Sequence, residues 1–308
     1  MKTILVTDGM DSGAVAALEQ AGFAVVQQFY PPETLGQALQ TVDGVVVRSA
    51  TKVRKVHLDA ALETRRLKLI VRGGVGVDNI DVDYARANGI AVANTPNASS
   101  ASVAELALAH MFSCARFISA AGHSMREGRW EKKAYGKGIE LRGKTLGIVG
   151  YGRIGACLGQ MAQALGMTVL AYRRNPPKDD PRFVSLDELL AKSDFVSLHT
   201  PDTGRPLMDG PTIAKMKDGA VLINTSRGAN VDEAALLAAL DSGKLRAAGL
   251  DVWAKEPTDN HPLYSHPRVS CTPHIGAATQ EAQARVGQEV VQVITSFFAG
   301  ENRPEHNK

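Results

Sequence analysis

The chain has 308 residues, of which 44% are hydrophobic and 22% are charged, and its formal net charge is +3. These values are typical of a folded globular protein, and they exclude a disordered or fibrous chain. Basic and acidic residues are interspersed without a polybasic block, so the sequence predicts neither a nucleic-acid partner nor a membrane partner.

The cysteines and the apolar segments indicate the cellular setting. Cys114, Cys157 and Cys271 are far apart and form no CxxC pair and no cluster with histidine. This spacing predicts no metal site, and we expect reduced, buried thiols in a cytoplasmic protein. The N-terminal residues reach Asp8 too early for a signal peptide. The longest apolar segment, residues 101–121, contains three ionisable side chains and therefore predicts a buried helix instead of a membrane span.

Short β-branched segments alternate with helical patterns along almost the whole chain. The first series of predicted strands covers residues 3–7, 23–27, 44–48, 68–73 and 90–94. A long helix is predicted after Ser102. The second series of predicted strands covers residues 145–150, 168–172, 195–199, 220–224 and 247–252. A final helix is predicted from about Thr279 to Phe298. Consecutive apolar positions in strands that alternate with helices predict an α/β protein with two parallel-sheet domains.

A glycine-rich turn joins the first strand of the second series to the helix after it. Gly150, Gly152 and Gly155 occur there in GIVGYGRIG. In a dinucleotide site the first glycine permits a tight turn, the second lets the backbone approach the pyrophosphate, and the third allows the helix to pack on the strand. The helix N-terminus supplies N–H groups and partial positive charge for the phosphates. The order of strand, turn and helix predicts a dinucleotide-binding domain.

The end of the next strand bears on the choice of coenzyme. Arg173 and Arg174 lie about 20 residues after the last glycine, where NAD sites usually present an acidic residue to the ribose 2′-hydroxyl. Two guanidinium groups at this place favour the 2′-phosphate of NADP(H). Alternatively, both arginines extend into solvent and NAD(H) binds through its other contacts. The sequence favours NADP(H) and leaves NAD(H) open.

Three ionisable residues follow strands in the last third of the chain. They are Arg227 in NTSRGANVDE, Glu256 in DVWAKEP and His274 in TPHIGAAT. Individually, a solvated arginine, a carboxylate in a turn and a structural histidine are ordinary features. Together they match the needs of a 2-hydroxy acid dehydrogenase, which requires a cation for the substrate carboxylate and an oriented histidine to exchange the hydroxyl proton. We predict that the three side chains meet in one cleft.

The chain resembles the D-isomer-specific 2-hydroxyacid dehydrogenases over essentially its full length. The resemblance rests on the glycine-rich turn, on the three segments that carry Arg227, Glu256 and His274, and on GGVGVDNID (73–81), NTPNASSASVAELALA (94–109) and SLHTP (197–201). The resemblance implies an oxidoreductase that transfers hydride between a nicotinamide coenzyme and a D-2-hydroxy acid or 2-oxo acid. It places the catalytic roles on the three ionisable residues named above. The coenzyme contacts that it implies are Gly150, Gly152, Arg153, Ile154, Gly155, Arg173, Arg174, Thr200, Pro201, Thr225, Ser226, Arg227, Asp251, His274 and Gly276.

The same resemblance implies the domain organisation. Two Rossmann-like, doubly wound domains are expected, with a dinucleotide-binding domain at residues 97–276 inserted into a flavodoxin-like substrate domain at residues 1–96 and 277–308. It also implies a homodimer formed through the nucleotide domain, using the long helix after Ser102.

The same resemblance indicates the substrate, and D-3-phosphoglycerate is the first candidate. VVRSATKV (46–53), VRGGVGVDNID (71–81) and EAQARVGQE (281–289) look most like D-3-phosphoglycerate dehydrogenase, here without the C-terminal regulatory domain of longer members. The substrate contacts implied are Arg48, Ser49, Arg72, Gly74, Val75, Gly76, Arg227 and His274. An NADP-type site points instead to an NADPH-dependent glyoxylate or hydroxypyruvate reductase. A non-enzymatic alternative is a sensor that binds NAD(P)(H) and acts like a transcriptional corepressor.

Overall fold

The computed structural model describes residues 1–300, so the expected end of the substrate domain, residues 301–308, lies outside the described residues. The chain divides into two compact units. Unit 1 comprises Met1–Ser99 and the chain from Ala277 onwards, and unit 2 comprises Ser100–Gly276. Each unit contains one parallel sheet, which confirms the predicted α/β class with two parallel-sheet domains.

Strands and helices alternate along the described residues. The strands are β1 (Thr3–Val6), β2 (Ala24–Gln27), β3 (Gly44–Val47), β4 (Leu69–Arg72), β5 (Ala91–Asn94), β6 (Thr145–Val149), β7 (Thr168–Tyr172), β8 (Phe195–Leu198), β9 (Ala220–Asn224), β10 (Leu245–Leu250) and β11 (Val269–Cys271). The α-helices are α1 (Ser12–Gln20), α2 (Pro32–Leu39), α3 (Lys55–Thr64), α4 (Val82–Ala87), α5 (Ser100–Arg116), α6 (Ile118–Arg126), α7 (Arg153–Ala164), α8 (Leu186–Lys192), α9 (Gly210–Ala214), α10 (Glu233–Asp241) and α11 (Gln280–Ala299). Short 3-10 helices span Gly228–Asn230 and Pro262–Tyr264.

Unit 1 has a five-stranded sheet in the order β2-β1-β3-β4-β5. Side chains of a strand point alternately to its two faces, and β1 shows the result. Leu5 packs in the core that α2, α3 and α4 cover, whereas Ile4 and Val6 pack in the core that α1 and α11 cover. Both faces are therefore buried, which explains the continuous apolar sequence of these strands.

Unit 2 has a six-stranded sheet in the order β11-β10-β9-β8-β6-β7. A parallel bridge between Ala171 and Phe183 continues the pairing beyond β7. The chain therefore winds outward in one direction from β6 through β7 to Phe183, and in the other direction from β8 to β11. This reversal beside β6 is the doubly wound arrangement of nucleotide-binding folds.

Two features of unit 2 differ from the expectation. The strand β11 was not predicted. The long helix expected after Ser102 is present as α5 but ends earlier than expected, because the chain breaks between α5 and α6 at Phe117, which has the left-handed φ of 58°. The Phe117 ring packs against Tyr135 and under the Arg246 guanidinium, and these contacts accompany the bend of 69° between the helices.

Within residues 1–300 no single helix is long and apolar enough to cross a membrane. The bent pair of α5 and α6 reaches the required length and apolar character only when its two helices are counted together.

The cysteines are partly as expected. All three thiols are free, with Cys114 buried, Cys157 half-buried and Cys271 exposed. The expectation of buried thiols is therefore wrong for Cys271, which ends β11 at the surface of unit 2. Among residues 1–300, no group of three or more His, Cys, Asp or Glu side chains is arranged to hold a metal ion.

Candidate active site

The sequence-predicted coenzyme residues lie along one edge of the sheet in unit 2. All strands of this sheet are parallel, so their carboxyl ends share an edge, and doubly wound sheets bind ligands there, at the reversal of strand order. The predicted residues follow the strands in this way: Gly150–Gly155 after β6, Arg173 and Arg174 after β7, Thr200 and Pro201 after β8, Thr225–Arg227 after β9, Asp251 after β10, and His274 and Gly276 after β11. This common edge brings them to one side of the sheet.

The turn between β6 and α7 has the shape of a phosphate cradle. Gly150 has a φ of 97°, and a Cβ atom on it would lie 2.6 Å from the His199 carbonyl oxygen. A Cβ on Gly155 would lie 2.6 Å from the Gly150 carbonyl oxygen, so the helix packs directly on the turn. A Cβ on Gly152 would meet no atom within 4 Å in the described chain, and no side chain caps α7 there. The open backbone N–H groups at this helix N-terminus fit a pyrophosphate.

Two polar side chains at this edge of the sheet have buried atoms. The Thr225 Oγ1 atom has no hydrogen-bond partner among the described residues, although it lies in the segment expected to contact coenzyme. His199, which the sequence did not single out, contacts the Ser197 hydroxyl through Nε2 at 2.9 Å. Burial lowers the pKa of His199 to about 4, so its ring is neutral. An orphaned hydroxyl at a ligand-binding edge fits a polar ligand that supplies the missing hydrogen bond.

The segment after β7 presents its two arginines to solvent. Arg173 and Arg174 are both exposed. A third arginine nearby, Arg182, is instead engaged, because its guanidinium pairs with Asp180 and donates to the Tyr151 hydroxyl at 2.9 Å. Tyr151 stands between the first two glycines of the cradle, so this contact ties the segment after β7 to the glycine turn. Arg173 and Arg174 are thus the exposed cations at this strand end.

His274 and Glu256 form a hydrogen-bonded pair. The distance between His274 Nδ1 and Glu256 Oε2 is 2.6 Å, and Glu256 Oε1 accepts a hydrogen bond from the Trp253 N–H at 2.9 Å. Burial raises the pKa of Glu256, but the hydrogen bonds from His274 and Trp253 and the nearby charges of His274 and Arg227 outweigh it and hold that pKa below its ordinary value. The Arg227 guanidinium therefore lies close enough to act on the same carboxylate, and the structure brings the three side chains together.

The Arg227 loop is fixed by two contacts that sequence inspection missed. Asn224, at the end of β9, accepts from the Ser226 N–H and donates to the Arg227 carbonyl oxygen at 2.8 Å. Gly228 then passes so close to Trp253 that a Cβ atom would lie 1.9 Å from its carbonyl carbon. Only glycine permits this approach of the loop to the segment that carries Glu256.

The backbone of His274 is held by Asp251, which is 1% exposed. Its Oδ1 and Oδ2 atoms accept from the N–H groups of Ile275 and Gly276, each at 2.8 Å. Its carbonyl oxygen accepts from the His274 N–H at 2.8 Å. His274 has a φ of 56°, a left-handed conformation that is costly for a residue other than glycine and that persists only where the surroundings enforce it. Asp251 was expected to contact coenzyme; here it also shapes the histidine loop.

The other sequence-predicted substrate residues lie in unit 1. Arg48 and Ser49 follow β3, Arg72 ends β4, and Gly74, Val75 and Gly76 lie in the loop after β4. The Asp8 carboxylate accepts the Arg48 N–H at 2.7 Å and so fixes the first loop. In the second loop, Gly74 has a φ of 147° and lies against the Arg72 guanidinium. Both loops thus occupy the carboxyl edge of their own sheet.

Comparison with known proteins gives consistent results. Residues 108–276 match the family model for the NAD-binding domain of D-isomer specific 2-hydroxyacid dehydrogenases. A hydroxypyruvate reductase from Thermotoga maritima is 46% identical over 94% of this chain and 96% of its own length. A D-3-phosphoglycerate dehydrogenase from Methanocaldococcus jannaschii is 42% identical over 98% of this chain, which spans 58% of that relative. The TT0316 protein from Thermus thermophilus superimposes with a TM-score of 0.90 at 35% identity, covering 98% of this chain and 99% of that one.

The predicted family, fold class and type of reaction are confirmed by these matches, and the two relatives and the solved structure each cover at least 94% of the chain. The phosphate cradle and the family model together support a nicotinamide coenzyme. The chain therefore belongs to the D-isomer specific 2-hydroxyacid dehydrogenases, oxidoreductases that act on small 2-hydroxy or 2-oxo acids.

Proposed function

We propose that the protein is an NADP(H)-linked reductase of short 2-oxo acids of the hydroxypyruvate and glyoxylate type. The observation that carries the proposal is the 2.6 Å hydrogen bond between His274 Nδ1 and Glu256 Oε2, with Arg227 acting on the same carboxylate. A cation, an oriented histidine and a carboxylate partner are the groups that this reaction needs from the protein.

Each of the three side chains has a separate task in the proposal. Arg227 binds the substrate carboxylate, because a planar guanidinium can form two parallel hydrogen bonds to it. Glu256 holds His274 through Nδ1, which leaves Nε2 for the substrate oxygen. His274 then gives a proton to that oxygen in reduction and takes it back in oxidation, and the charge of Glu256 stabilises the imidazolium. The nicotinamide ring, when bound, supplies or accepts the hydride.

The proposed coenzyme contacts follow the carboxyl edge of the sheet in unit 2. Gly150–Gly155 would hold the pyrophosphate on the open N-terminus of α7, where the unpaired N–H groups attract an anion. The buried, unpartnered Thr225 hydroxyl supports a polar contact at the end of β9. Arg173 and Arg174 would pair with the 2′-phosphate of NADP(H) through charge-assisted hydrogen bonds, and their position directly after β7, where dinucleotide sites present a residue to the ribose, supports this choice.

Although the sequence motifs put D-3-phosphoglycerate first, hydroxypyruvate leads as the proposed substrate because the hydroxypyruvate reductase is 46% identical to this chain and the phosphoglycerate dehydrogenase 42%. D-3-Phosphoglycerate is the second candidate. Arg48 follows β3 and Arg72 is the last residue of β4, both at the carboxyl edge of the sheet in unit 1, and two guanidinium groups would favour a phosphorylated acid.

A matrix of coenzymes and substrates tests the proposal. Absorbance at 340 nm would be followed with NADPH or NADH against hydroxypyruvate and glyoxylate, and with NADP⁺ or NAD⁺ against D-3-phosphoglycerate. We expect the highest kcat/KM for NADPH with hydroxypyruvate. His274→Ala should lower kcat by about 10²- to 10⁴-fold and leave NADPH affinity unchanged, because proton transfer is lost while the phosphate cradle remains.

Each contrary result of this matrix has a distinct meaning. A best kcat/KM for phosphoglycerate would move the assignment to the second candidate. Binding of NADPH without turnover of any acid would favour a coenzyme-binding sensor. Near-normal activity of His274→Ala would contradict the role proposed for that residue.

Arg173→Asp tests the coenzyme preference. Loss of a charge-assisted hydrogen bond should lower kcat/KM for NADPH by about tenfold or more, since such bonds contribute roughly 1.5–3 kcal/mol, while NADH should be used as well as before or better. Lys178→Asp, at an exposed cation further along the same segment, controls for the change in charge. An unchanged NADPH to NADH ratio in Arg173→Asp would contradict the NADP(H) preference.

We also propose that the protein forms a homodimer through unit 2. Phe112 of α5, Ile118 and Met125 of α6, and Trp130 just beyond α6 are large hydrophobic side chains exposed on this unit. Trp130 is 78% exposed. Exposed apolar side chains grouped along neighbouring helices are characteristic of a surface that another protein covers.

We place the protein in the cytoplasm. Its three cysteines are free, and Cys271 is exposed. Thiols persist in a reducing compartment, whereas oxidising compartments favour disulfides. Fractionation of cells into cytoplasmic and membrane or secreted material, with antibody detection, checks this placement.

A further inference from the structure

A continuous line of hydrogen-bonded side chains runs through unit 2 from the break between α5 and α6 to the loop of His274. Its members in order are Ser113, Ser119, Ser270, His110, Thr272 and Asp251. His110, at its centre, is 2% exposed and lies on α5. Its Nδ1 atom is 2.9 Å from the Ser270 hydroxyl, and its Nε2 atom is 3.1 Å from the Thr272 hydroxyl.

The Asp251 carboxylate, which can only accept hydrogen bonds, determines which group donates in the hydrogen bonds next to it. The Thr272 hydroxyl has one proton, which it donates to the Asp251 carboxylate at 2.6 Å. Thr272 must then accept from His110, so the proton of the ring is on Nε2. Burial lowers the pKa of His110, although the charge of Asp251 opposes this, and the neutral ring accepts from Ser270 through Nδ1.

The line ends on the group that shapes the histidine loop. Asp251 accepts from the N–H groups of Ile275 and Gly276 and fixes His274 in its left-handed conformation. Helix α5 is also held tightly against β10, because a Cβ atom on Gly249 would lie 2.6 Å from the His110 Cβ atom. His110 thus packs against β10 and is also hydrogen-bonded, through Thr272, to Asp251, the residue directly after β10.

We propose that His110, as the Nε2–H tautomer, is a positioning residue that orients Asp251 through Thr272 and thereby fixes the backbone of His274. The inference rests on the proposed role of His274 in catalysis. The Asp251 carboxylate can accept from both the Ile275 and Gly276 N–H groups only in a narrow range of side-chain orientations. The hydrogen bond from the Thr272 hydroxyl to Oδ1 restricts rotation of the carboxylate out of that range. The His110 ring in turn restricts the Thr272 hydroxyl.

The test compares His110→Leu with His110→Gln and Thr272→Val. Leucine removes the donor, whereas the glutamine amide can still donate to Thr272; valine removes the hydroxyl and leaves His110 in place. We expect kcat to fall by about tenfold to a hundredfold in His110→Leu and Thr272→Val, because a small misplacement of a catalytic group has effects of this size. KM for the coenzyme should be unchanged, and His110→Gln should stay close to the wild type.

Hydrogen exchange measured by mass spectrometry provides a readout that does not need activity. Exchange in residues 272–278 should be faster in His110→Leu and Thr272→Val, with no change in β9, a buried strand of the same unit. His57→Leu is the matched control, since His57 is also a buried histidine, 6% exposed, but accepts from the Arg54 N–H in unit 1. It should alter neither kcat nor the exchange of residues 272–278.

The outcomes separate this inference from the proposed function. Unchanged kcat and exchange in Thr272→Val would overturn it, even if His110→Leu does not fold. Equal losses in the leucine and glutamine variants would also overturn it, because the donated hydrogen bond would then not be the cause. If the wild type reduces no 2-oxo acid, the proposed function fails, and faster exchange in the loop still supports the positioning role of His110.

Discussion

Glu256 connects the backbone at Trp253 to the His274 ring through its two carboxylate oxygens. One carboxylate oxygen accepts from the Trp253 N–H and the other from His274. Because the first oxygen is anchored to the backbone, the second is held in one direction, and His274 has little freedom to rotate about this bond. The side chain is therefore well suited to hold the ring in one orientation.

Substitution of Glu256 should have a pH-dependent effect. Burial raises the pKa of this carboxyl, but its hydrogen bonds and the nearby positive charges hold the pKa below the ordinary 4.5. A group with a lowered pKa in the folded state stabilises the protein above its unfolded pKa, and this contribution disappears as the pH falls through the folded pKa. We expect the Tm difference between wild type and Glu256→Gln to shrink as the pH falls below 4.5.

The same variant should also lose activity. Without the negative charge, His274 is less well oriented, and kcat should fall by about tenfold or more. Glu19→Gln, at an exposed position on α1, is the control and should leave kcat and the pH dependence of Tm unchanged. A Tm difference that grows as the pH falls below 4.5 would contradict the direction given for this pKa.

Residue types predicted the candidate site only in part. Arg227, Glu256 and His274 were identified because their chemistry matches one reaction, and the structure brings their side chains together. His110 was not identified, because a histidine on an apolar helix is typical of an ordinary core residue. The contacts with Ser270 and Thr272 that distinguish it join positions 160 and 162 residues apart in the chain, and no local pattern indicates them.

At the scale of elements, short loops after parallel strands hold the side chains of the candidate site. The loop after β9 illustrates this, because Asn224 bonds to the backbone of the residues that follow it and Gly228 lies against Trp253. A loop of this kind has one shape. The backbone that carries Arg227 is therefore held by contacts within unit 2.

Replacement of Gly228 by alanine should disturb this loop. The added Cβ atom would lie within 2.0 Å of the Trp253 carbonyl oxygen, so the backbone must move. We expect a loss of roughly 1–3 kcal/mol in the free energy of unfolding, as in other overpacked sites, and a higher KM for the 2-oxo acid because Arg227 moves. Gly210→Ala is the control, since a Cβ there meets no atom within 4 Å. Equal stability of the two variants by urea denaturation would contradict the expectation.

Most elements were predictable from the alternation of apolar and helical segments. All ten predicted strands are present, since buried parallel strands have conspicuous apolar sequences. The strand β11 has only three residues, including Ser270 and Cys271, and gives no such signal. The bend at Phe117 was missed because apolar residues continue at helical spacing on both sides of it, and the left-handed conformation of Phe117 depends on contacts with distant residues.

At the scale of the whole molecule, the proposed dimer can be tested directly. Ile118→Asp combined with Trp130→Asp places charges among the exposed apolar side chains of unit 2, and burying these charges in an interface would be unfavourable. We expect the sedimentation velocity of the protein to change from that of a dimer to that of a monomer. Phe29→Asp, at a residue of unit 1 that is 58% exposed, should leave the dimer intact. A dimeric double variant would refute the proposed interface.

The last helix of the described chain has a consequence for synthesis on the ribosome. Val286, Val290 and Ile294 of α11 complete the core beside Ile4 and Leu18 of unit 1. Translation yields the first part of this unit long before α11 emerges, whereas unit 2 is one continuous stretch. The part of the hydrophobic face that α11 covers therefore stays exposed on the nascent N-terminal sheet while the whole intervening unit is translated, a state in which chaperones or aggregation compete with folding.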